Sequence, residues 1–236
     1  MSKAQIIITG VSSGIGHAIA KAALDLDYKV QGIGRNEPVD LIGRAGWSYF
    51  HADLSRPEVV DTIPFMNPNI AGPKILINNA GVLGPVMYSK NAQWREIDKT
   101  TTVNVVAPMR LSARFLSEVP GEKQIYFTGS GAAEFAIPGW SAYCASKAAI
   151  HMYAQVLQQE NPDVRIHAFK PGKVDTPMQE QIRSSQPTDF PAVEAFREDY
   201  EQGKLVSPET VAAKLLKVIE GPGDQEVVFA LSEITL

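Results

Sequence analysis

Tyr143 and Lys147 stand four residues apart in a stretch, 143–159, whose apolar residues recur at helical spacing. Side chains four apart on a helix emerge on one face, about a turn from each other. A phenol and an ammonium held that way can serve one substrate: the phenol gives or takes a proton and the cation favours its ionised form. A free tyrosine titrates near ~10, so bringing it close to neutrality takes about 3 units, or ~4 kcal/mol of preference for the tyrosinate.

A second constellation lies near the N-terminus. Residues 9–16 read TGVSSGIG, directly after an apolar run of strand length and at the opening of a helical pattern, which is the context a phosphate-binding turn requires. Gly10 permits the tight turn, Gly14 lets backbone approach a pyrophosphate, and Gly16 allows close packing of a helix whose first N–H groups can bind anions. Ser12 and Ser13 add hydroxyl donors, and Ile15 lies between the last two glycines. The second apolar run ends at Gly34-Arg35, where a site selective for NAD places a carboxylate to grip the ribose 2′-hydroxyl. A guanidinium suits a 2′-phosphate instead, because it forks onto phosphate oxygens and stays charged. The expected cofactor is NADP(H), which together with Lys147 would favour ionisation of Tyr143.

Other chemistries find little support. Ser130 does not sit in a hydrolase elbow, because Thr128 occupies the place of the first glycine of G-x-S-x-G. His17, His51, His151 and His167 lack metal-ligand spacing, and one cysteine cannot build a zinc cluster, so they read as surface or packing residues. Cys144 reads as a small buried hydrophobe. Taken singly, Tyr143, Lys147, Ser130 and Asn104 also have plain structural readings; their order behind a phosphate turn is what argues for chemistry.

Holding these groups together requires alternating strands and helices. Apolar runs of strand length occur at 5–8, 29–33, 47–50, 74–77, 124–127, 164–169 and 226–229, reading as strands buried on both faces. Between them 15–26, 94–117, 143–159 and 208–219 repeat apolar residues at helical spacing. The alternation predicts an α/β fold: a Rossmann-type, doubly wound parallel sheet of about seven strands flanked by helices. No linker or repeat interrupts it, so one domain over residues 1–236 is expected. Residues 176–207 depart from the pattern, being polar and punctuated by Pro177, Pro187 and Pro191, and predict an excursion above the sheet that can act as a lid.

The glycine spacing resembles that of the short-chain dehydrogenase/reductases. The likeness runs on through Asn78-Asn79-Ala80-Gly81, Asn104, Ser130, Tyr143-x-x-x-Lys147 and Pro171-Gly172 to Thr176, and covers nearly the whole chain. It implies that Tyr143 protonates a carbonyl oxygen as hydride reaches the carbon, while Lys147 also holds the nicotinamide ribose. Ser130, 13 residues before Tyr143, would polarise the same oxygen, and Asn104 would anchor a water of the proton relay. Asp53 and Leu54 would flank the adenine, and Asn79, Ala80 and Gly81 would lie beneath the cofactor, with Asn78 pinning neighbouring strands. Pro171 and Gly172 lead to Val174 and Thr176, which would hold the carboxamide; Lys173 and Asp175 receive no role.

The resemblance places Leu83, Phe135, Ile137, Trp140, Met178 and Phe190 on loops over the nicotinamide, an apolar and aromatic set suited to a compact ketone. Residues 81–86, 139–143 and 174–179 are similar to the benzil reductase and sepiapterin reductase-like branch, which implies a small vicinal dicarbonyl substrate. Such a substrate makes chemical sense, because a neighbouring carbonyl withdraws electron density from the attacked carbon. Two other readings stay open: a cofactor-binding regulatory protein without turnover, and an epimerase or dehydratase of a longer family branch. Family members commonly pair through the helices corresponding to 94–117 and 143–159, so a homodimer or homotetramer is an expectation of the resemblance.

Composition agrees with this class. Of 236 residues, 44% are hydrophobic and 20% charged, enough to bury a full core and too ordinary for a disordered chain. The net charge of -4 comes from interspersed acids and bases, with no basic run to track nucleic acid. One cysteine, no signal-peptide pattern in residues 1–8 and no apolar stretch near ~20 residues predict a cytoplasmic protein without a membrane span.

Overall fold

Among the described residues seven parallel strands form one sheet: β1 (Gln5–Thr9), β2 (Lys29–Gly34), β3 (Trp47–His51), β4 (Lys74–Asn78), β5 (Lys123–Thr128), β6 (Arg165–Lys170) and β7 (Val228–Ala230). A computed structural model describes residues 4–65 and 72–236; the first three residues of the N-terminal stretch lie outside these. Across the sheet the strands run β3-β2-β1-β4-β5-β6-β7, with Gln5 of β1 level with Lys29 on one side and Lys74 on the other. The chain winds outward in both directions from the β1–β4 pair. That reversal opens a crevice at the carboxyl ends of the strands, where ligands of such sheets bind.

The central strands β1 and β4 are buried along their whole length, three consecutive apolar residues in each presenting side chains to both faces. Alternate residues serve opposite layers. Ile6, Ile8, Ile75 and Ile77 pack with Ile19 of α1 (Gly14–Asp25) and Leu215 of α8 (Pro208–Glu220). Ile7, Leu76, Ile125 and Phe127 pack with Phe115 of α4 (Ala107–Glu118) and Ile150 of α5 (Ser141–Glu160). Each such side chain contributes about 1.5–3 kcal/mol on burial, so the site stands on a rigid base. The short α2 (Pro57–Val60) and α3 (Trp94–Thr101) complete this part of the chain.

Three expectations need correction. β3 is not buried on both faces: as the edge strand its residues are half-buried or exposed. β7 spans Val228–Ala230, shorter than and shifted from the expected 226–229. The stretch 94–117 is not one regular helix, because a π turn at Thr102–Val106 separates α3 from α4. Pro108 explains the break. It has no N–H to give the Asn104 carbonyl four residues earlier, and its ring crowds that carbonyl, so the backbone widens there.

The excursion contains α6 (Pro177–Arg183) and α7 (Val193–Glu201). Its neck is closed by a parallel bridge between Val174 and Val206, with Asp175 N donating to Val206 O at 2.9 Å and Val206 N to Lys173 O at 2.8 Å. Under it a third cluster gathers Leu83, Trp140, Tyr143, Ile182, Phe190 and Val193.

Candidate active site

A cavity of about 800 Å³ follows the carboxyl ends of the strands from β2 to the excursion, a size typical of ligand sites. Gly10, Ser12, Ser13, Gly14 and Ile15 line one end. Gly10 has φ +76°, and a Cβ on Gly16 would strike the Gly10 carbonyl oxygen and the Asn79 amide. Glycine at 16 therefore lets the helix start close against the turn. Ser13 caps α1 without using its side chain, which leaves the first-turn N–H groups aimed outward as anion donors.

Asn79 holds this turn. Its Nδ2 donates to Thr9 O at 3.0 Å and Gly10 O at 3.2 Å, its N–H donates to Thr9 Oγ1 at 3.0 Å, and its Oδ1 accepts from Thr128 Oγ1 at 3.3 Å. Asn79 thus ties β1 to β5, the role expected of Asn78. Asn78 instead donates to Ser112 Oγ at 3.1 Å and pins α4 to the sheet. The reason is the alternation of a strand: neighbours face opposite sides.

Arg35, Asp53 and Leu54 line the cavity beyond the turn, joined by Lys99, which the sequence pattern did not single out. Asp53 accepts from Ser55 N at 3.0 Å and Oγ at 2.8 Å; these bonds, with Arg35 and Lys99 nearby, hold its carboxyl below the usual range. The exposed Arg35 guanidinium makes no hydrogen bond or ion pair among the described residues and is free for a ligand. Pro171, Gly172, Val174 and Thr176 line the opposite wall, and the Thr176 methyl packs on the Gly14 side of the turn.

Farther in, Ser130, Tyr143 and Lys147 meet. Tyr143 and Lys147 lie on consecutive turns of α5, both under a tenth exposed, with Lys147 Nζ 5.6 Å from the Tyr143 ring centre and donating to Thr128 O at 2.7 Å. Burial pushes the Tyr143 phenol up to about 12, against a hydrogen bond with Ser130 that lowers it. Burial also pushes the Lys147 ammonium down to about 8. The chain's own groups therefore do not bring the phenol toward neutrality as anticipated. They keep it protonated beside a cation that holds its charge up to about pH 8.

Asn104 is buried but does not reach the cavity wall. From the π turn its amide donates to Val82 O at 2.8 Å and Ser146 Oγ at 3.0 Å, and its Oδ1 accepts from Val82 N at 2.9 Å. It fixes the loop carrying Ala80 to Leu83 against α5.

His151, read as a packing or surface residue, is a missed neighbour of the site. One turn beyond Lys147, its Nε2 accepts from Ser130 N–H at 3.4 Å, and a Cβ on Gly129 would strike it. Burial pushes its imidazole down to about 4, Glu134 opposing and Lys147 and Lys170 reinforcing the shift. It stays neutral, as an acceptor must. Its helical spacing from Tyr143 and Lys147 was the available signal.

Leu83, Ile137, Trp140 and Met178 line the inner end with Val103, Ile182 and Phe196. Phe135 does not; its ring is 68% exposed, because the short turn after Ser130 carries it outward. Phe190 is fully buried against Trp140 and Phe196, so it packs the excursion rather than facing a ligand. Lys173 gains a role: it pairs with Asp199 and lies 4.6 Å over the Phe196 ring, tying α7 to the cavity rim. Among the described residues no group of His, Cys, Asp and Glu could hold a metal.

The short chain dehydrogenase family model matches residues 4–187. The chain belongs to that family. It is an oxidoreductase whose relatives include the benzil reductase ((S)-benzoin forming) of Bacillus subtilis strain 168, 32% identical over 96% of this chain and 98% of the relative. The sepiapterin reductase of Bos taurus is 32% identical over 71% of this chain and 61% of its own length. Among solved structures, the KRED1-Pglu enzyme superposes with a TM-score of 0.87 at 28% identity, covering 97% of this chain and 100% of that one. A short chain dehydrogenase/reductase of Saccharomyces cerevisiae gives 0.84 at 27%, covering 98% and 97%. The branch inferred from residues 81–86, 139–143 and 174–179 is the one the comparisons find.

Proposed function

We propose that this short-chain dehydrogenase is an NADP(H)-dependent carbonyl reductase acting on a vicinal diketone or aromatic ketone. The observation that carries the reading is one continuous cavity with an anion-binding glycine turn and Arg35 at one end and Ser130, Tyr143 and Lys147 among apolar side chains at the other. The relatives named as benzil reductases support the substrate class.

The residues fit a nicotinamide dinucleotide. The glycine turn and the open first turn of α1 suit a pyrophosphate, Arg35, which makes no ion pair among the described residues, suits a 2′-phosphate, and Val174 and Thr176 of the opposite wall suit a carboxamide. When bound, the cofactor supplies the hydride that reduces the carbonyl carbon. Tyr143 holds the proton on its hydroxyl and delivers it to the carbonyl oxygen, which Ser130 polarises from the same side. Lys147 supplies positive charge that favours the tyrosinate left behind. Asn104 and His151 hold the two loops that carry these groups. The segment 176–207 acts as a lid, its apolar underside keeping water from the reacting carbon.

Two copies are expected to pair through α4 and α5, which leave Met109, Met152 and Val156 exposed; sedimentation of the purified protein tests this. The reductase reading is tested by following NADPH absorbance with benzil, aliphatic ketones, sugars and acyl thioesters. Oxidation of NADPH by benzil faster than by a simple aliphatic ketone is expected. Efficient turnover of sugars or thioesters with benzil untouched would overturn the substrate class, and no turnover with any of them the reductase reading.

A further inference from the structure

Two residues that line the cavity, Trp140 and Gln179, each carry a buried polar atom without a partner among the described residues. They are Trp140 Nε1 and Gln179 Oε1, and no other unpartnered buried side-chain N or O atom of the described residues belongs to a lining residue. Both side chains are more than nine-tenths buried, at 5% and 7% exposure. Buried donors and acceptors are nearly always paired, because leaving one bare forfeits its hydration.

The packing holds the indole in place. Its face stacks on Phe190 with ring centres 4.9 Å apart, and it meets Tyr143 edge to face at 5.6 Å. An unpaired N–H is therefore carried by the ring next to the proton donor. Gln179 lies buried in the first turn of α6, in the segment that borders the same cavity. Its amide can turn to present either oxygen or NH2. Donor and adaptable amide together suit one more oxygen, next to the reacting carbonyl: a ketone oxygen accepts from both, and a hydroxyl accepts from the indole while donating to the amide.

We infer that Trp140 and Gln179 are specificity-determining residues that bind the second oxygen of a vicinal dioxygenated substrate, so that preference for 1,2-diones and α-hydroxyketones over plain ketones is built into the lid. The inference rests on the carbonyl-reductase reading and names what selects the substrate. A plain ketone of the same shape leaves both groups bare, and a site built to hydrogen-bond an oxygen rejects the analogue lacking it.

The test compares benzil with deoxybenzoin, which has the same two rings and one carbonyl replaced by methylene. The benzil-over-deoxybenzoin ratio of kcat/KM is measured in the wild type, in Gln179→Met and in Trp140→Phe. Dividing mutant by wild-type ratios removes the intrinsic reactivity of the dione. Each variant is expected to lower the ratio by about 3- to 10-fold, the worth of one or two neutral hydrogen bonds. Most of the loss should fall in KM for benzil, with NADPH affinity, read by fluorescence quenching, near the wild-type value. Unchanged ratios in variants that still bind NADPH would overturn the inference while the reductase reading stood. So would an equal loss with both ketones accompanied by weaker NADPH binding, which would assign Gln179 to the cofactor. A wild type that oxidised NADPH with neither ketone would overturn the reductase reading and this inference with it.

Discussion

At the nucleotide end of the cavity the wall is mostly backbone: Gly10, Gly14 and the first turn of α1, braced by the Asn79 amide. At the substrate end it is side chains drawn from distant segments, Leu83 and Trp140 meeting Met178 and Phe196 of the excursion. A backbone wall depends on a few consecutive residues whose spacing is visible in the chain. A side-chain wall depends on which segments arrive together, and can change its ligand while the first end stays the same.

The boundary between the two ends is breakable at Tyr143. Tyr143→Phe should lower kcat by about 100-fold or more, because only the proton donor is lost, while fluorescence titration shows NADPH bound as before. A variant keeping more than about a tenth of wild-type kcat would mean that proton transfer belongs to another group.

The nucleotide end is tested alone by Arg35→Ala. Charge-assisted hydrogen bonds are worth ~1.5–3 kcal/mol, so KM for NADPH should rise by about 10- to 150-fold. KM for NADH should change little; equal losses with both cofactors would show that Arg35 does not read the 2′-phosphate.

His151 braces the Gly129-Ser130 turn from below, and its contribution is a matter of pH. Its folded value near 4 lies under the ordinary 6.5, so across that window the unfolded chain binds more protons and stability falls as pH is lowered. Going from pH 7 to pH 5 should cost about 2 kcal/mol from this group. Glutamine can accept the Ser130 N–H without titrating, so thermal melts of His151→Gln should show a shallower acid slope than the wild type. Parallel slopes would place the acid sensitivity elsewhere.

The smallest effect is expected at the rim. Lys173→Ala removes the Asp199 pair and the contact over Phe196, costing under about 1 kcal/mol of stability for a pair this exposed. It should raise KM for a dione about 2- to 5-fold through a looser lid, an interaction of that size being what one partly exposed pair carries. An increase in KM for NADPH instead would move Lys173 to the cofactor.

Where the structure departs from the sequence pattern, packing between distant segments mostly sets the direction of a residue. The resemblance places Phe135 over the site, yet the turn after Ser130 carries it into solvent while Ile137, two residues on, lines the cavity. Asn79, not Asn78, ties neighbouring strands, because which face a residue at the end of a strand takes is settled only by the elements packed there. The break at residues 102–106 was readable in principle from Pro108, since a missing N–H is a local fact. His151 and Gln179 have ordinary sequence surroundings, and only the bond of His151 to Ser130 and the place of Gln179 on the cavity wall set them apart.

From the sequence alone came the alternation that makes a doubly wound sheet, the glycine turn, Arg35 in place of an acid, and Tyr143 and Lys147 on one helix face. These depend on dihedral freedom, periodicity and spacing within a few residues, which short-range sterics and hydrogen bonding settle. The tertiary structure decided which residues close the substrate end. Trp140, Gln179 and Phe196 belong to three separate elements, and whether an indole N–H is buried bare beside Tyr143 depends on packing between segments far apart in the chain.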